Sequence, residues 1–440
     1  MEQSRRNFIK KVALGTAGLA IGLNAKSFSR IMGSNDRINF AVIGLHGRAS
    51  AHLAGIESCD NTMITHVCDV DSRELDKFAQ AVLKDLNYSP IKEKDFRKLL
   101  ELKDIDAITI ATPEHWHAPM AIMGLQAGKH IFLEKPSHHN PHEGELLVQA
   151  QKKYGKLVQM GNQQRSSDHT IKIINKIRAG LIGRVYWGKA WYTNTRKGIG
   201  IGKEVPVPDY LDWDLWQGPA PRRPYKDNIH PYNWHWFWHW GTGEALNNGT
   251  HEVDLCRWAL GVDYPNRVTA SGGRYHYNDD WEFYDTLVTN YEYDDKMITW
   301  ECVSCQGMGQ FNNRGRGVTI HGTDGTVLID REGYEIFDPK GIKTEEFKTS
   351  DKNVTQDLTS VDSMTNNHFQ NFINGIRVGE KLHSPIDEAS KSVTLLLLSN
   401  IAWKYNRVLN LNKDNGHIIR DDEAMKYWGR EYEKGWEIKV

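Results

Sequence analysis

The sequence predicts an α/β protein in two parts: a doubly wound parallel sheet, then an α+β domain with a large, open-faced, mostly antiparallel sheet. Short runs rich in Ile, Val and Phe alternate with helical stretches between Arg37 and Met160, the order expected of parallel strands joined by crossover helices. After Gly161 the pattern changes to a series of strand-like runs, and two helical stretches close the chain. The length of 440 residues also exceeds the roughly 250–300 residues that one core holds, so two domains are the default.

Taken in order, Arg37–Ile43 is an apolar run suited to a buried parallel strand. Gly44 to Ala49 form a turn, and a helical pattern continues to about Ser58. Thr62–Cys68 is a second strand ending at Asp69, and Ser72–Leu86 a helix with Ser72 as its N-cap. Asp106–Ala111 and Lys129–Leu133 are further strands, with helices at Pro113–Ala127 and Pro141–Tyr154, and Lys156–Met160 closes the set. In the second part, Arg184–Thr193, Arg267–Ser271, Leu287–Tyr293, Met297–Cys302, Gly317–Gly322 and Thr326–Asp330 read as strands. Gly322 to Gly325 supply a hairpin turn. Phe369, Phe372 and Ile376 share one face of a helix at Asn366–Val378, and Ile386–Tyr405 is the last helix. Lys197–Trp240, rich in Pro and Trp, is the predicted binding loop. The domains are thus 36–160 and 161–440, with closing helices at about 366–405, preceded by a signal segment at 1–30.

That segment begins Ser4-Arg5-Arg6-Asn7-Phe8-Ile9-Lys10, with an apolar stretch from Val12 to Leu23. A basic start and a short apolar run mark a secretory signal, and the paired arginines resemble the twin-arginine class. The expectation is a periplasmic or otherwise exported protein that engages the twin-arginine machinery and is anchored to the membrane if the segment is retained. Fifty-five Lys and Arg against 56 Asp and Glu give a net charge of −1, which argues against a nucleic-acid partner. Five cysteines exclude a disulfide scaffold. Cys302 and Cys305 form a C-x-x-C without a second pair, so no metal site is predicted.

The first strand, glycine turn and helix point to a dinucleotide, whose pyrophosphate approaches backbone N–H groups at a helix N-terminus. Of the three G-x-G-x-x-G/A positions, Gly44 and Ala49 match and His46 replaces the middle glycine. Gly47 is adjacent and free to adopt positive φ, and Arg48 completes the turn. Asp69 lies about 20 residues beyond Ala49, the spacing of a ribose-binding carboxylate. A carboxylate there repels a 2′-phosphate, so NAD is preferred to NADP, with Arg73 the feature that keeps NADP open.

Two further motifs follow. Thr112-Pro113-Glu114-His115-Trp116-His117-Ala118-Pro119 comes after a strand, and Gly128-Lys129-His130-Ile131-Phe132-Leu133-Glu134-Lys135-Pro136 after the next helix. With Gly161-Asn162-Gln163-Gln164-Arg165 and the closing helices, the chain from Arg37 to about Asn412 resembles the Gfo/Idh/MocA oxidoreductase family. The resemblance implies a Rossmann domain with an open-faced sheet domain. It implies Lys135 beside the nicotinamide and the reacting hydroxyl, with Thr112, Pro113, His117, Glu134 and Gln163 lining the cofactor. It implies an Asp and a His four residues apart in the cleft, where this chain has Asn247 and His251. Asn247 is expected to orient His251 without stabilising its protonated form by charge, and Glu244 is a nearby carboxylate. Lys135 and His251 are the candidate hydroxyl-polarising and acid/base groups. The plainer roles are a phosphate or surface lysine and a capping or core histidine.

Pro231–Trp240 alternates Trp234, Trp236, Trp238 and Trp240 with Asn233, His235, Phe237 and His239. An extended segment would put indoles on one face and imidazoles on the other, a surface for sugar rings or for packing. The substrate candidates are Arg165, Tyr192, His230, Trp234, His235 and Trp238. The expected activity is NAD-dependent oxidation of a sugar or glycoside hydroxyl, with a tightly held, recycled cofactor. The alternatives are a glycosidase working by transient oxidation and a non-catalytic sugar-binding protein. A homo-dimer or homo-tetramer is expected, because an open sheet face is a large apolar surface.

Overall fold

The computed structural model describes residues 37–354 and 361–440. The signal segment at 1–30 lies outside the described residues. Among them, no helix is long and apolar enough to cross a membrane.

The first sheet contains β1 (Ile38–Ile43), β2 (Thr62–Cys68), β3 (Ile91–Glu93), β4 (Ala107–Ile110), β5 (His130–Leu133) and β6 (Val158–Met160). It has six strands in the order β3-β2-β1-β4-β5-β6, all pairs parallel. Its central strands are apolar on both faces because helices cover both. The edge strand β3 and the helix Phe96–Glu101 were not predicted. β3 has only three residues, with Ile91 and Lys92 exposed, so it carries no hydrophobic period. Asp71, not Ser72, caps the helix Ser72–Leu86, its side chain accepting from the Arg73 amide. The predicted helix from Pro113 opens with a 3-10 turn at Glu114–Trp116 before the α-helix His117–Gln126.

The second sheet contains β7 (Val185–Thr195), β8 (Arg267–Gly273), β9 (Thr286–Glu292), β10 (Met297–Val303), β11 (Cys305–Gln306), β12 (Arg316–Gly322), β13 (Gly325–Ile329), β14 (Gly333–Phe337), β15 (Lys343–Lys348) and β16 (Leu409–Asn410). Its order is β15-β14-β13-β12-β7-β10-β9-β8-β16, with β11 beside β7. Only β7 and β10 pair in parallel; Gly322 and Gly325 close the predicted hairpin between β12 and β13. The helices Gly249–Leu260 and Ile386–Tyr405 pack on one face of this sheet.

The helix Ser363–Val378 returns to the first domain and packs on Ala49–Glu57. Phe369 stacks on Phe132 of β5 with ring centroids 4.0 Å apart. It lies so close to Gly55 that a Cβ there would meet Phe369 Cδ2 at 2.2 Å. Burying such a ring stabilises the union of the two domains by roughly 1.5–3 kcal/mol.

The aromatic segment is not extended. Asn233–Trp236 is a 3-10 turn, so its indoles diverge instead of sharing a face. Trp234 stacks on His235 at 3.6 Å, Trp236 on Trp281 at 3.9 Å and Trp238 on Phe283 at 4.1 Å. Within the predicted loop, Trp213–Gln217 forms a short helix whose Asp212 cap accepts from the Leu215 amide.

Candidate functional site

A cavity of about 680 Å³ runs from the glycine turn after β1 to residues of the second domain. Gly44 has φ +82° and donates its amide to Cys68 O at 3.0 Å. A Cβ on Gly44 would fall 2.6 Å from the Thr112 amide nitrogen, so no other residue fits this crossing of β1 and β4 without a shift. Gly47 adopts φ +27°, supplying the positive φ that His46 does not provide. Asp69 borders the cavity half-buried, accepting from Leu45 N at 2.7 Å and Asp71 N at 2.8 Å. Burial pushes its pKa up to about 6, against the pull of those two amides. Arg73 is engaged elsewhere: it grips Asp71 through Nε at 3.1 Å and a second nitrogen at 2.8 Å, and lies 3.3 Å over Tyr210.

The floor is Glu134 and Lys135, which follow β5. Glu134 Oε1 accepts from Arg48 Nε at 2.7 Å and lies 3.0 Å from His52 Nε2. Gln163 Nε2 reaches the same oxygen at 3.4 Å. Burial works to raise the Glu134 pKa, but Arg48 and His52 hold it well below the usual carboxylate range. Lys135 Nζ donates to the Asn247 carbonyl at 2.5 Å and to its Oδ1 at 3.3 Å. Burial lowers the Lys135 pKa; Glu134 and Glu114 oppose this, and Arg48 and Arg316 reinforce it.

Asn247 ends the helix Gly243–Asn247, and His251 sits in the first turn of Gly249–Leu260. The chain breaks direction between them, yet both border the cavity. Asn247 does not orient His251 as expected. Its Oδ1 faces Lys135, and its Nδ2 reaches the Tyr232 hydroxyl at 3.5 Å. His251 Nδ1 has no hydrogen-bond partner among the described residues. Burial, with Arg316, Lys135 and Arg331 around it, holds the His251 pKa well below 6.5, so the ring is neutral. Glu244 is not a free carboxylate: Arg196 grips both its oxygens and Asn248 donates to Oε1 at 2.5 Å.

The cavity is bordered by Gly44, His46, Gly47, Arg48, Asp69, Thr112, Pro113, His117, Glu134 and Lys135 from the first domain and by Gln163 just beyond it. Ala49 lies fully buried behind the turn. His117 bridges the two loops, with Nδ1 2.6 Å from Pro136 O and Nε2 2.8 Å from Thr112 O. Of the substrate candidates, Tyr192, His230, Trp234 and His235 border the cavity. Arg165 and Trp238 do not. Arg165 forms a two-nitrogen pair with Asp254 at 2.6 and 2.9 Å, and Trp238 lies between Phe283 and Lys404.

Sequence reasoning missed Glu114, Arg196, Tyr232 and Arg316 as wall residues. Arg316 pairs with Glu252 at 2.7 Å and lies 5.3 Å over the Tyr192 ring. A charge opening the apolar run of β12 was the available signal. Glu114 stood inside the Thr112–Pro119 motif. Tyr232 stood inside the predicted loop Lys197–Trp240, and Arg196, one residue before it, left no local mark. Among the described residues no group of three or more His, Cys, Asp or Glu is arranged to hold a metal ion.

The turn fits a dinucleotide. The helix after it has no side-chain cap, Gly44 leaves open a cradle that a Cβ would fill, and Thr112 Oγ1 is buried with no partner among the described residues. Residues 38–162 match the family model "Oxidoreductase family, NAD-binding Rossmann fold", and 210–397 match "Oxidoreductase family, C-terminal alpha/beta domain". A "Glycosyl hydrolase family 109 protein" of Shewanella pealeana is 29% identical over 211 residues, 44% of this chain and 46% of that protein. An "Alpha-N-acetylgalactosaminidase" of Shewanella oneidensis is 27% identical over 208 residues, 43% of this chain and 45% of that protein. The chain spans about half the length of the curated relatives it matches. Among solved structures, a levoglucosan dehydrogenase in complex with NADH and L-sorbose superposes with TM-score 0.67 at 15% identity, covering 86% of this chain and 99% of that one. The WlbA dehydrogenase of Bordetella pertussis, in complex with NADH and UDP-GlcNAcA, gives 0.62 at 21%, with the same coverage of each chain. Since the two family models together span more than half of the sequence, the chain belongs to the Gfo/Idh/MocA oxidoreductase family, and the domain on β1–β6 is its NAD-binding Rossmann domain.

Proposed function

We propose that this chain is an NAD-dependent enzyme acting at a hydroxyl-bearing carbon of a sugar or glycoside, with Lys135 and His251 as its acid–base pair. One observation carries the reading: a buried amine of lowered pKa and a neutral imidazole with an unpartnered Nδ1 border the same cavity as the dinucleotide turn. NAD, when bound, supplies the two-electron redox chemistry at that carbon. The turn from Gly44 to Arg48, with Asp69, Thr112 and Pro113, holds it. Glu134, fixed by Arg48 and His52, keeps a negative charge beneath it. Lys135 Nζ, steadied by Asn247, donates to the substrate oxygen, and His251 Nδ1 takes the hydroxyl proton. Tyr192, His230, Tyr232 and the stacked Trp234–His235 pair form the sugar-facing wall. Arg73 is committed to Asp71, and the Asp69 carboxylate disfavours a 2′-phosphate, which supports NAD over NADP.

A second reading is cleavage of a glycoside by transient oxidation with no net redox change. The relatives named glycosyl hydrolase family 109 proteins favour it. So does the cavity, because ordinary glycoside hydrolysis needs two available carboxyls. Here, around Lys135, Glu134 is gripped by Arg48, Glu244 by Arg196 and Glu252 by Arg316, and Glu114 is the carboxyl there without an arginine; Asp69, Asp71, Glu74 and Asp95 lie at the dinucleotide end.

The experiment is a panel of sugars and nitrophenyl glycosides offered to the protein as isolated. NADH and a keto sugar accumulating only with added NAD supports net oxidation. Nitrophenol and free sugar without added acceptor support the second reading. Neither product from any member overturns both and leaves a sugar-binding protein. We further propose export by the twin-arginine route, supported by Arg5-Arg6 and the apolar stretch after them. We also propose self-association through the open face of the second sheet, where Val288 is exposed.

A further inference from the structure

We propose that residues 210–216, which the second domain sends across the ribose end of the dinucleotide cavity, are a clasp that has to open before the dinucleotide enters or leaves. Leu215 and Trp216 border that cavity together with Asp69, Asp71, Asp95 and Phe96 of the first domain. The segment is tied to the first domain at two places. After β2, the Ser72 amide donates to Tyr210 O at 2.9 Å and the Asp212 amide to Val70 O at 3.0 Å, with Leu211 bridged to Asp71 between them. Lys94 pairs with Asp212 Oδ2 at 2.9 Å, and the Arg73 guanidinium lies 3.3 Å over the Tyr210 ring. After β4, the Trp216 carbonyl accepts from Trp116 Nε1 at 2.9 Å and lies 3.0 Å from His115 Nε2. β2 and β4 stand on either side of β1 in the sheet. A segment fastened after both therefore spans the crevice beside the glycine turn, where a Rossmann sheet binds its dinucleotide.

The two ties differ in strength. Trp216, Trp116 and His115 are buried, Trp436 meets the Trp116 ring edge-on with centroids 5.0 Å apart, and a Cβ on Gly218 would fall 1.8 Å from Trp116 Cζ2. That tie is close-packed. At the other, the Lys94 and Arg73 side chains are each more than half exposed, so water competes for the groups that hold it. Opening therefore starts at Tyr210–Asp212 and turns about Trp216–Gly218, since elements with few buried contacts open first. Asp212 also caps the helix Trp213–Gln217, which lets the segment swing as one piece. The inference rests on the NAD-binding domain and needs no turnover.

The test is stopped-flow mixing of the full-length protein with NADH for entry, and of NADH-loaded protein with excess NAD for exit, both read by NADH emission. Ser72 opens the helix Ser72–Leu86 behind its cap Asp71, which is extended at φ −94° and ψ 109°, so a proline suits that first helical position. In Ser72→Pro a ring carbon replaces the hydrogen aimed at Tyr210 O and forces that carbonyl away. Entry and exit should both quicken about tenfold, the size of a lost hydrogen bond, because a gate slows passage in both directions. Tyr210 does not border the cavity, and Tyr210→Ala, which removes the stack on Arg73, should quicken both about two- to fivefold. Exit quickened with entry unchanged would make the segment an ordinary contact and overturn the proposal. So would a Ser72→Pro protein with both rates within about 1.5-fold of the parent. If Ser72→Pro fails to fold, Tyr210→Ala decides by the same two criteria. Quickened entry and exit in a protein that turns over no sugar would support the clasp and sink the functional reading.

Discussion

The end of the cavity bordered by Gly44, Leu45 and His46 presents the backbone of the glycine turn, whereas the end bordered by Arg196, Tyr232 and Asn247 is made of side chains already paired with one another. Backbone N–H groups at a helix start suit a phosphate that is the same in every turnover. Paired side chains suit a ligand that must be held in one orientation, because each group is fixed before the ligand arrives. The two ends should therefore fail differently. Lys135→Ala should lower kcat about 10²–10⁴-fold while the protein still binds NAD, since Lys135 belongs to the working end. Isothermal titration with NAD, beside initial rates, would separate these. Loss of NAD binding together with activity would erase the division between the two ends.

The side-chain end should also be the more fragile. Arg316 and Glu252 form a pair with each side chain 2% exposed. Arg316→Met leaves a buried carboxylate without its cation and should destabilise the protein by about 3–5 kcal/mol in urea unfolding. Arg73, half of whose side chain is exposed, should cost within about 1 kcal/mol when changed to Met. Equal losses for the two would mean that burial does not govern these pairs. At the backbone end, Gly44→Ala places a Cβ 2.6 Å from Thr112 N at φ +82°. Strain of about 1–3 kcal/mol is expected there, with weaker NAD binding and little change at the substrate wall.

The same division explains what the sequence could reveal. The glycine turn, the Thr112–Pro119 segment and Glu134-Lys135 are each contiguous, because a parallel sheet presents its strand ends as short, unbroken loops. The strands β1, β4 and β5 were readable for the related reason that burial on both faces makes them largely apolar runs. The second wall is assembled from residues far apart in the chain. Arg316 and Tyr192 meet only because β12 pairs with β7 in that register, and no local pattern encodes a register between distant strands. The aromatic segment failed for a different reason. Alternation of Trp with other residues satisfies a period of two, but tertiary packing against Trp281 and Phe283 overrode it. Asn247 was found through the Asp–His pattern that the family resemblance implies, yet its partner is Lys135, because the helix breaks at Asn248.

Buried histidines give the molecule a pH dependence with a definite sign. Burial lowers His138 to about 3, and His130, His230, His239 and His368 to about 4. An unfolded histidine takes its proton near pH 6.5, so each of these favours the unfolded chain as pH falls below that value. The loss continues to its folded pKa at up to about 1.4 kcal/mol per pH unit. Asp69, raised to about 6, and Glu114, raised to about 7, act in the opposite sense. Their stabilising effect is present at low pH and lost as pH rises from the unfolded carboxyl value through the folded one. The histidines outnumber these two carboxyls, so the melting temperature should drop between pH 7 and pH 5. A melting temperature that holds or rises over that interval would show that burial does not keep these rings neutral.

The smallest effect should come from the sugar-facing wall. Trp234 is stacked on His235 at 3.6 Å and donates Nε1 to Pro231 O at 3.0 Å, so its ring is held in place before any sugar arrives. A preset aromatic face binds ground state and transition state alike, which changes KM rather than kcat. Trp234→Ala should raise KM by about two- to tenfold, the size of an aromatic contact of 0.5–1.5 kcal/mol, and leave kcat within about twofold. Trp234→Phe should recover most of that loss, because it keeps a face of nearly the same area. A fall in kcat with KM unchanged would place Trp234 among the groups that act on the reacting atoms, and the boundary between binding wall and working floor would have to be redrawn from His235 outward.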